Sequence, residues 1–213
     1  MLDTMKGAIF DLDGVIVDTA KYHYLAWRWL ANKHGFDFTE ADNERLKGVS
    51  RTKSLEILLD IGGVKATEEE KREMAECKND KYVSYISELD ESELLLGAKD
   101  YLTKLRARGV RIALGSASKN AMMILDKLRI TELFDVIVDG NRTSAAKPDP
   151  EVFLLACQQL GLKPEQCVVF EDAAAGVQAG KSAGMMVVGI GDSNQLPGAD
   201  HVVKGLYELL PFE

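Results

Sequence analysis

Cysteine is scarce in this chain, positive charge is in deficit, and long apolar runs are missing. Each shortage removes a class of protein. The three cysteines, Cys77, Cys157 and Cys167, are odd in number and form no CxxC pair, so neither a disulfide framework nor a thiolate metal site is indicated. Lysine and arginine number 26 against 34 acidic residues, a formal net charge of -8. That balance argues against a nucleic-acid or anionic-membrane surface, both of which need concentrated basic charge. No segment approaches the ~20 consecutive apolar residues of a membrane span. Nor does the N-terminus show a basic stretch followed by an apolar one, so a cytoplasmic protein is expected. Internal repeats and low-complexity segments are absent, and nothing marks an oligomer interface, so a monomer is expected.

What is present is a set of short, apolar, β-branched runs at 6–12, 110–116, 135–140, 167–172 and 185–190. Amphipathic, helix-like stretches lie between the later ones, several followed by glycine where a helix would end. Strands alternating with helices imply crossover units and a parallel sheet covered on both faces, hence a doubly wound, Rossmann-like α/β core. The first run, however, is separated from the second by about 95 residues, far more than one crossover requires. Only helical signals fill that gap, with Thr39 and Thr67 as N-caps and Thr67 with Glu70 as a capping box. The expected organisation is therefore a core of 1–17 and 94–213 interrupted by a helical domain over 18–93. Two chain crossings between such domains make a natural hinge.

The polar residues with chemical potential fall at strand ends. Asp11 and Asp13 follow the first run, Ser116 the second, and Glu171 and Asp172 the fourth, while Lys147 precedes a helix beginning near Pro150. In an open parallel sheet ligands bind beyond the carboxyl ends of the strands. An acid there can simply cap a following helix, but capping accounts for one acid per strand end, not two at each of two. Unpaired carboxylates are costly to desolvate, and a shared cation would offset that cost. Oxygen ligands with no histidine or cysteine pattern suit Mg²⁺, which in turn suggests a phosphate ligand. A carboxylate beside Mg²⁺ can attack phosphorus to give an aspartyl phosphate. Ser116 and Lys147 would then serve as donors to the phosphoryl oxygens; the bland alternative for Lys147 is a solvated surface lysine.

Four ordered stretches, "DLDGV", "SAS", "KP" and "ED", resemble the motifs of the haloacid dehalogenase-like phosphotransferases. The resemblance covers the whole chain, with the helical insertion similar to that family's cap domain. Within the family, "DTAKYHYLAW", "LKGVSRTKSL", "KND" and "SASKN" are most similar to its hexose-phosphate mutase branch. The resemblance implies that Asp11 is the nucleophile and Asp13 the general acid and base. It also implies that Mg²⁺ is held by Asp11, the Asp13 backbone carbonyl, Glu171 and Asp172, and that Ser116 and Lys147 bind the transferring group. It assigns the remaining contacts with the sugar phosphate to His23, Trp27, Gly48, Val49, Ser50, Arg51, Ser54 and Lys78 of the cap, and to Ala117, Ser118, Lys119 and Asn120 of the core. Taken singly, Arg51 reads equally as an exposed helix-start residue, and His23 and Trp29 as packing residues.

The activity so implied converts β-glucose 1-phosphate to glucose 6-phosphate through phospho-Asp11 and β-glucose 1,6-bisphosphate. A hydrolase of a small phosphomonoester would use the same Asp11, Asp13 and Mg²⁺ and admit water in place of the sugar hydroxyl. A phospho-acceptor domain without catalysis would need neither Asp13 nor the helical insertion.

Overall fold

The computed structural model describes residues 4–46 and 50–210. By density of internal contacts the chain divides into two compact units, Met1–Asp18 with Leu89–Glu213, and Thr19–Glu88.

The first unit is built on six parallel strands, β1 (Gly7–Phe10), β2 (Arg111–Gly115), β3 (Val136–Val138), β4 (Cys167–Glu171), β5 (Met186–Ile190) and β6 (His201–Val203), in the order β3-β2-β1-β4-β5-β6. The chain moves outward from β1 through β2 to β3, then returns to pair β4 on the other side of β1. The junction of β1 and β4 is therefore the topological switch point, where doubly wound sheets bind ligands. The helices of this unit are numbered after the four of the helical unit: α5 (Ala98–Ala107), α6 (Ala121–Lys127), α7 (Glu151–Gln159) and α8 (Ala174–Ser182).

Alternation along each strand sends successive side chains to opposite faces. Ile9, Ala113, Val169 and Val187 share a buried cluster with Val152, Phe153 and Ala156 of α7 and Val177 and Ala179 of α8. Phe10, one residue on from Ile9, points the other way. Its ring stacks on Phe170 at 4.5 Å, and Tyr101 of α5 meets both rings edge-on, at 6.3 and 5.6 Å. Both faces of the sheet are thus covered, which is why its central strands read as unbroken apolar runs rather than alternating ones.

The expected runs differ from the observed strands in two respects. The strands are shorter, so that Asp11 and Ser116 lie just past β1 and β2, and a sixth strand, β6, closes one edge.

The second unit holds α1 (Ala20–Lys33), α2 (Glu40–Asn43), α3 (Arg51–Gly62) and α4 (Glu68–Ile86). Its core is the facing stripes Trp27, Leu30 and Ala31 of α1 and Leu55, Leu58 and Leu59 of α3, with Phe38 between them in sequence. The Thr67 and Glu70 side chains form the expected capping box at the start of α4, and Thr39 forms another with Asp42 at the start of α2. Among the described residues no helix is long and apolar enough to cross a membrane.

Phe10 is fully buried between Phe170 and Tyr101, so Phe10→Ala is expected to destabilise the α/β unit by about 3–5 kcal/mol through lost burial and a residual cavity. Urea unfolding followed by circular dichroism measures this, and an unchanged midpoint would contradict the packing described.

Candidate active site

Strand register assembles the polar residues. Phe10 pairs with Phe170 of β4 and with Leu114 of β2, so Asp11 emerges beside Glu171 on one side and next to Gly115 and Ser116 on the other. The Asp11 amide donates to the Phe170 carbonyl at 2.9 Å, fixing the backbone at this exit. Lys147 enters from the connection between β3 and α7. Its Nζ donates to Asp11 Oδ1 at 2.6 Å and to Glu171 Oε1 at 2.5 Å, and lies 4.8 Å from the centre of the Phe153 ring. All three charged groups are nearly or fully buried.

Burial alone would favour loss of the Lys147 proton, but the charges of Asp11 and Glu171 overcome it and hold the ammonium above the ordinary lysine range. Burial raises the Glu171 carboxyl, with Lys147 pulling the other way. Glu171 Oε2 accepts from the Ala173 amide at 2.9 Å, so both of its oxygens are engaged. Asp172 is pushed up to about 8, first by desolvation and then by the charges of Asp11, Glu171 and Asp13. The residue is itself exposed, so solvent moderates that effect. Asp172 thus feels three neighbouring carboxylates and one ammonium, an excess of negative charge.

Asp13 sits in the turn after β1, where the Gly14 amide donates to the Val17 carbonyl at 2.8 Å. Gly14 has φ +74°, and a Cβ there would stand 2.0 Å from Asp172 Oδ2. A side chain at this position would therefore collide with the Asp172 carboxylate, which lies against the glycine. Past β2, the buried Ser116 Oγ accepts from the Ser118 amide at 3.0 Å, and Ser118 Oγ from the Asn120 amide at 3.3 Å. In that loop Ala117 and Lys119 are exposed, whereas Ser118 and Asn120 are half-buried. Among the described residues, no three acidic, histidine or cysteine side chains already converge as ligands around one point.

The helical unit carries a second polar cluster. Lys78 of α4 is buried, its Nζ 2.8 Å from His23 Nδ1 of α1 and over the rings of Trp27, at 4.5 Å, and Tyr82, at 5.0 Å. His23 stacks on Tyr82 at 4.0 Å. Desolvation, then the charges of Lys78 and Arg51, hold the imidazole well below its usual range, so it is neutral and its Nδ1 accepts from the ammonium. Arg51, the first residue of α3, donates from Nη2 to Asn79 Oδ1 at 2.9 Å. Ser50 is the N-cap of α3, its Oγ accepting from the Lys53 amide at 3.3 Å, and Ser54 is buried one turn on. Trp27 belongs to the core of this unit, and Trp29 packs at its margin. Gly48 and Val49 lie outside the described residues.

Three participants escaped the sequence reading. Asn79 lies within the quoted "KND" stretch, Tyr82 follows Lys78 at i+4, and Phe153 lies in the apolar stripe of α7. Tyr82 carries a signal, because helical spacing places i+4 beside Lys78; Asn79 at i+1 does not, since adjacent residues on a helix do not face each other. Phe153 carries none, since its contact with Lys147 depends on tertiary packing.

Comparison with known proteins gives a consistent picture. A family model described as haloacid dehalogenase-like hydrolase matches residues 5–184. The β-phosphoglucomutase of Bacillus subtilis is 45% identical over 207 residues, 96% of this chain and 92% of that protein. A phosphorylated carbohydrates phosphatase of Thermotoga maritima is 33% identical over 184 residues, 85% of this chain and 82% of the relative. The crystal structure of a β-phosphoglucomutase from Clostridium difficile superposes with a TM-score of 0.89 at 44% identity, covering 97% of this chain and 93% of that one.

The raised Asp172 carboxyl has a measurable consequence. Without metal, the folded state keeps a proton on Asp172 between the ordinary aspartate range and about 8, a proton the unfolded chain releases. That contribution to stability is complete at low pH and is lost as pH rises through about 8. Thermal melts in chelator across this window are expected to show the parent protein losing stability relative to Asp172→Asn as pH increases. Parallel curves would contradict the crowding of charge at this site.

Proposed function

Because the chain belongs to the haloacid dehalogenase-like hydrolase family, we propose that it interconverts β-D-glucose 1-phosphate and glucose 6-phosphate through an aspartyl phosphate and β-glucose 1,6-bisphosphate. The observation that carries this reading is the Lys147 ammonium bridging Asp11 and Glu171 at the switch point of the parallel sheet. There Asp11 is the nucleophile toward phosphorus, and Lys147 with the Ser116 hydroxyl holds the phosphoryl oxygens. Asp13 takes the proton of the attacking 6-hydroxyl in one half-reaction and protonates the leaving oxygen in the other.

The site fits Mg²⁺. Its donors are all oxygen, and its carboxylates outnumber its cations. Asp11, the Asp13 backbone carbonyl, Glu171 and Asp172 would hold the ion, with Glu171 using a lone pair not taken by Lys147 or Ala173, or an intervening water. When bound, Mg²⁺ neutralises negative charge on the phosphoryl oxygens.

A bisphosphate intermediate needs a second set of phosphate donors. Arg51, a planar fork already braced on one side by Asn79, suits that task, assisted by Lys78, Ser118, Lys119 and Asn120. The inserted helical unit acts as the cap. His23, Trp27, Gly48, Val49, Ser50, Ser54 and Ala117 complete the contacts that recognise the sugar. The protein works as a cytoplasmic monomer on a small sugar phosphate.

A hydrolase reading is favoured by one observation, the 33% identity to a phosphorylated carbohydrates phosphatase. A coupled assay for glucose 6-phosphate, run on α- and β-glucose 1-phosphate with a bisphosphate primer and with parallel detection of inorganic phosphate, separates the two. Turnover of the β-anomer alone, with little phosphate released, is expected, and Asp11→Asn is expected to abolish it because an amide is not a competent nucleophile. Stoichiometric phosphate release would establish the hydrolase instead, and retained turnover in Asp11→Asn would remove Asp11 from its role.

A further inference from the structure

Residues 139–150 connect β3 to α7 and deliver Lys147 to within hydrogen-bond distance of two carboxylates. A connection this long places a single ammonium only if its backbone is anchored at both ends. At the β3 end, the Gly140 amide donates to the Ser118 carbonyl at 3.1 Å and Asn141 Nδ2 to the Lys119 carbonyl at 2.9 Å. A Cβ on Gly140 would lie 2.2 Å from the Ala117 carbonyl oxygen, so the two loops approach closely only because this residue is glycine.

The α7 end is anchored by one carboxylate. Glu151, the first residue of α7, accepts from the Ser144 amide at 2.9 Å, the Ala145 amide at 2.7 Å, and Ser144 Oγ at 3.0 and 3.1 Å. These donors lie two and three residues before Lys147. Two residues further along α7, the Phe153 ring lies under the ammonium. The same helix start therefore fixes both the backbone leading into Lys147 and the far end of its side chain. The Ala145 and Ser144 amides also hold the Glu151 carboxyl below its usual range, so it is ionised and acceptor-only at neutral pH.

We propose that Glu151 is the positioning residue for Lys147, setting how fast Asp11 accepts a phosphoryl group without itself touching substrate. The proposal rests on the reading of Lys147 as a phosphoryl-binding residue. Glu151→Gln removes the charge and leaves one acceptor oxygen where the carboxylate offers two, which weakens the anchor and lets the ammonium drift. Glu151→Asp keeps the charge at shorter reach.

The test measures Asp11 phosphorylation by acetyl phosphate with Mg²⁺, steady-state kinetics on β-glucose 1-phosphate, and circular dichroism for the folded fraction. In Glu151→Gln the phosphorylation rate and kcat are expected to fall by roughly 10- to 10²-fold with KM within about twofold of the parent, as for a small misplacement of a transition-state contact. Glu151→Asp is expected to recover most of that loss. Phosphorylation by Glu151→Gln at the parent rate, or a loss matched by a fall in folded fraction, overturns the proposal. Lys147→Ala separates proposal from premise. If it phosphorylates normally, the assignment of Lys147 fails; if it is slow while Glu151→Gln is not, only the role of Glu151 fails.

Discussion

The α/β unit is organised around an imbalance of charge: four carboxylates, Asp11, Asp13, Glu171 and Asp172, stand at two neighbouring strand ends with the single ammonium of Lys147 among them. Such an arrangement is costly to desolvate. It persists because the parallel ladder fixes where the chain exits β1 and β4, so Asp11 and Glu171 emerge side by side whatever their charge prefers. Stability thus comes from the stacked Phe10, Phe170 and Tyr101 and the apolar cluster on the opposite face. The polar edge draws on it. The excess negative charge makes the site receptive to a divalent cation and, through it, to a phosphate.

The helical unit holds a buried lysine by different means. Lys147 is surrounded by carboxylates, whereas Lys78 has the lone pair of a neutral His23 and the faces of Trp27 and Tyr82. Aromatic faces and a neutral imidazole stabilise a cation without cancelling its charge. The surroundings of the two lysines therefore differ in kind, aromatic faces and an imidazole around Lys78, two carboxylates around Lys147. This contrast matches the division of labour proposed for the two lysines.

Much of this was readable from the residue order. Strand ends were visible because apolar runs stop at acids, and the Thr67 and Glu70 capping box because both partners lie within one helical turn. Less local features were not. β6 is three residues long, too short to show alternation. The helical pattern of "KNAMMILDKLRI" runs past the true end of α6, because Arg129 takes φ +52° and nothing in its side chain announces a left-handed turn. The ion pair of Lys147 with Asp11 spans 136 residues of chain, and the anchoring of its loop by Glu151 depends on where α7 starts. Spacing does not encode either. Family resemblance pointed to Lys147; only the fold shows what holds it in place.

The central claim is that this cluster aims Asp11 at phosphorus. The most direct measurement is peptide mapping after incubation with a phosphoryl donor and Mg²⁺, an acid quench, and cleavage at lysine, which releases Gly7–Lys21 with Asp11, Asp13 and Asp18 together. The account predicts one phosphoryl group on this peptide, localised by fragmentation to Asp11 and removed by hydroxylamine as an acyl phosphate. A phosphoryl group on Asp13, on a serine, or on no residue under turnover conditions would contradict it.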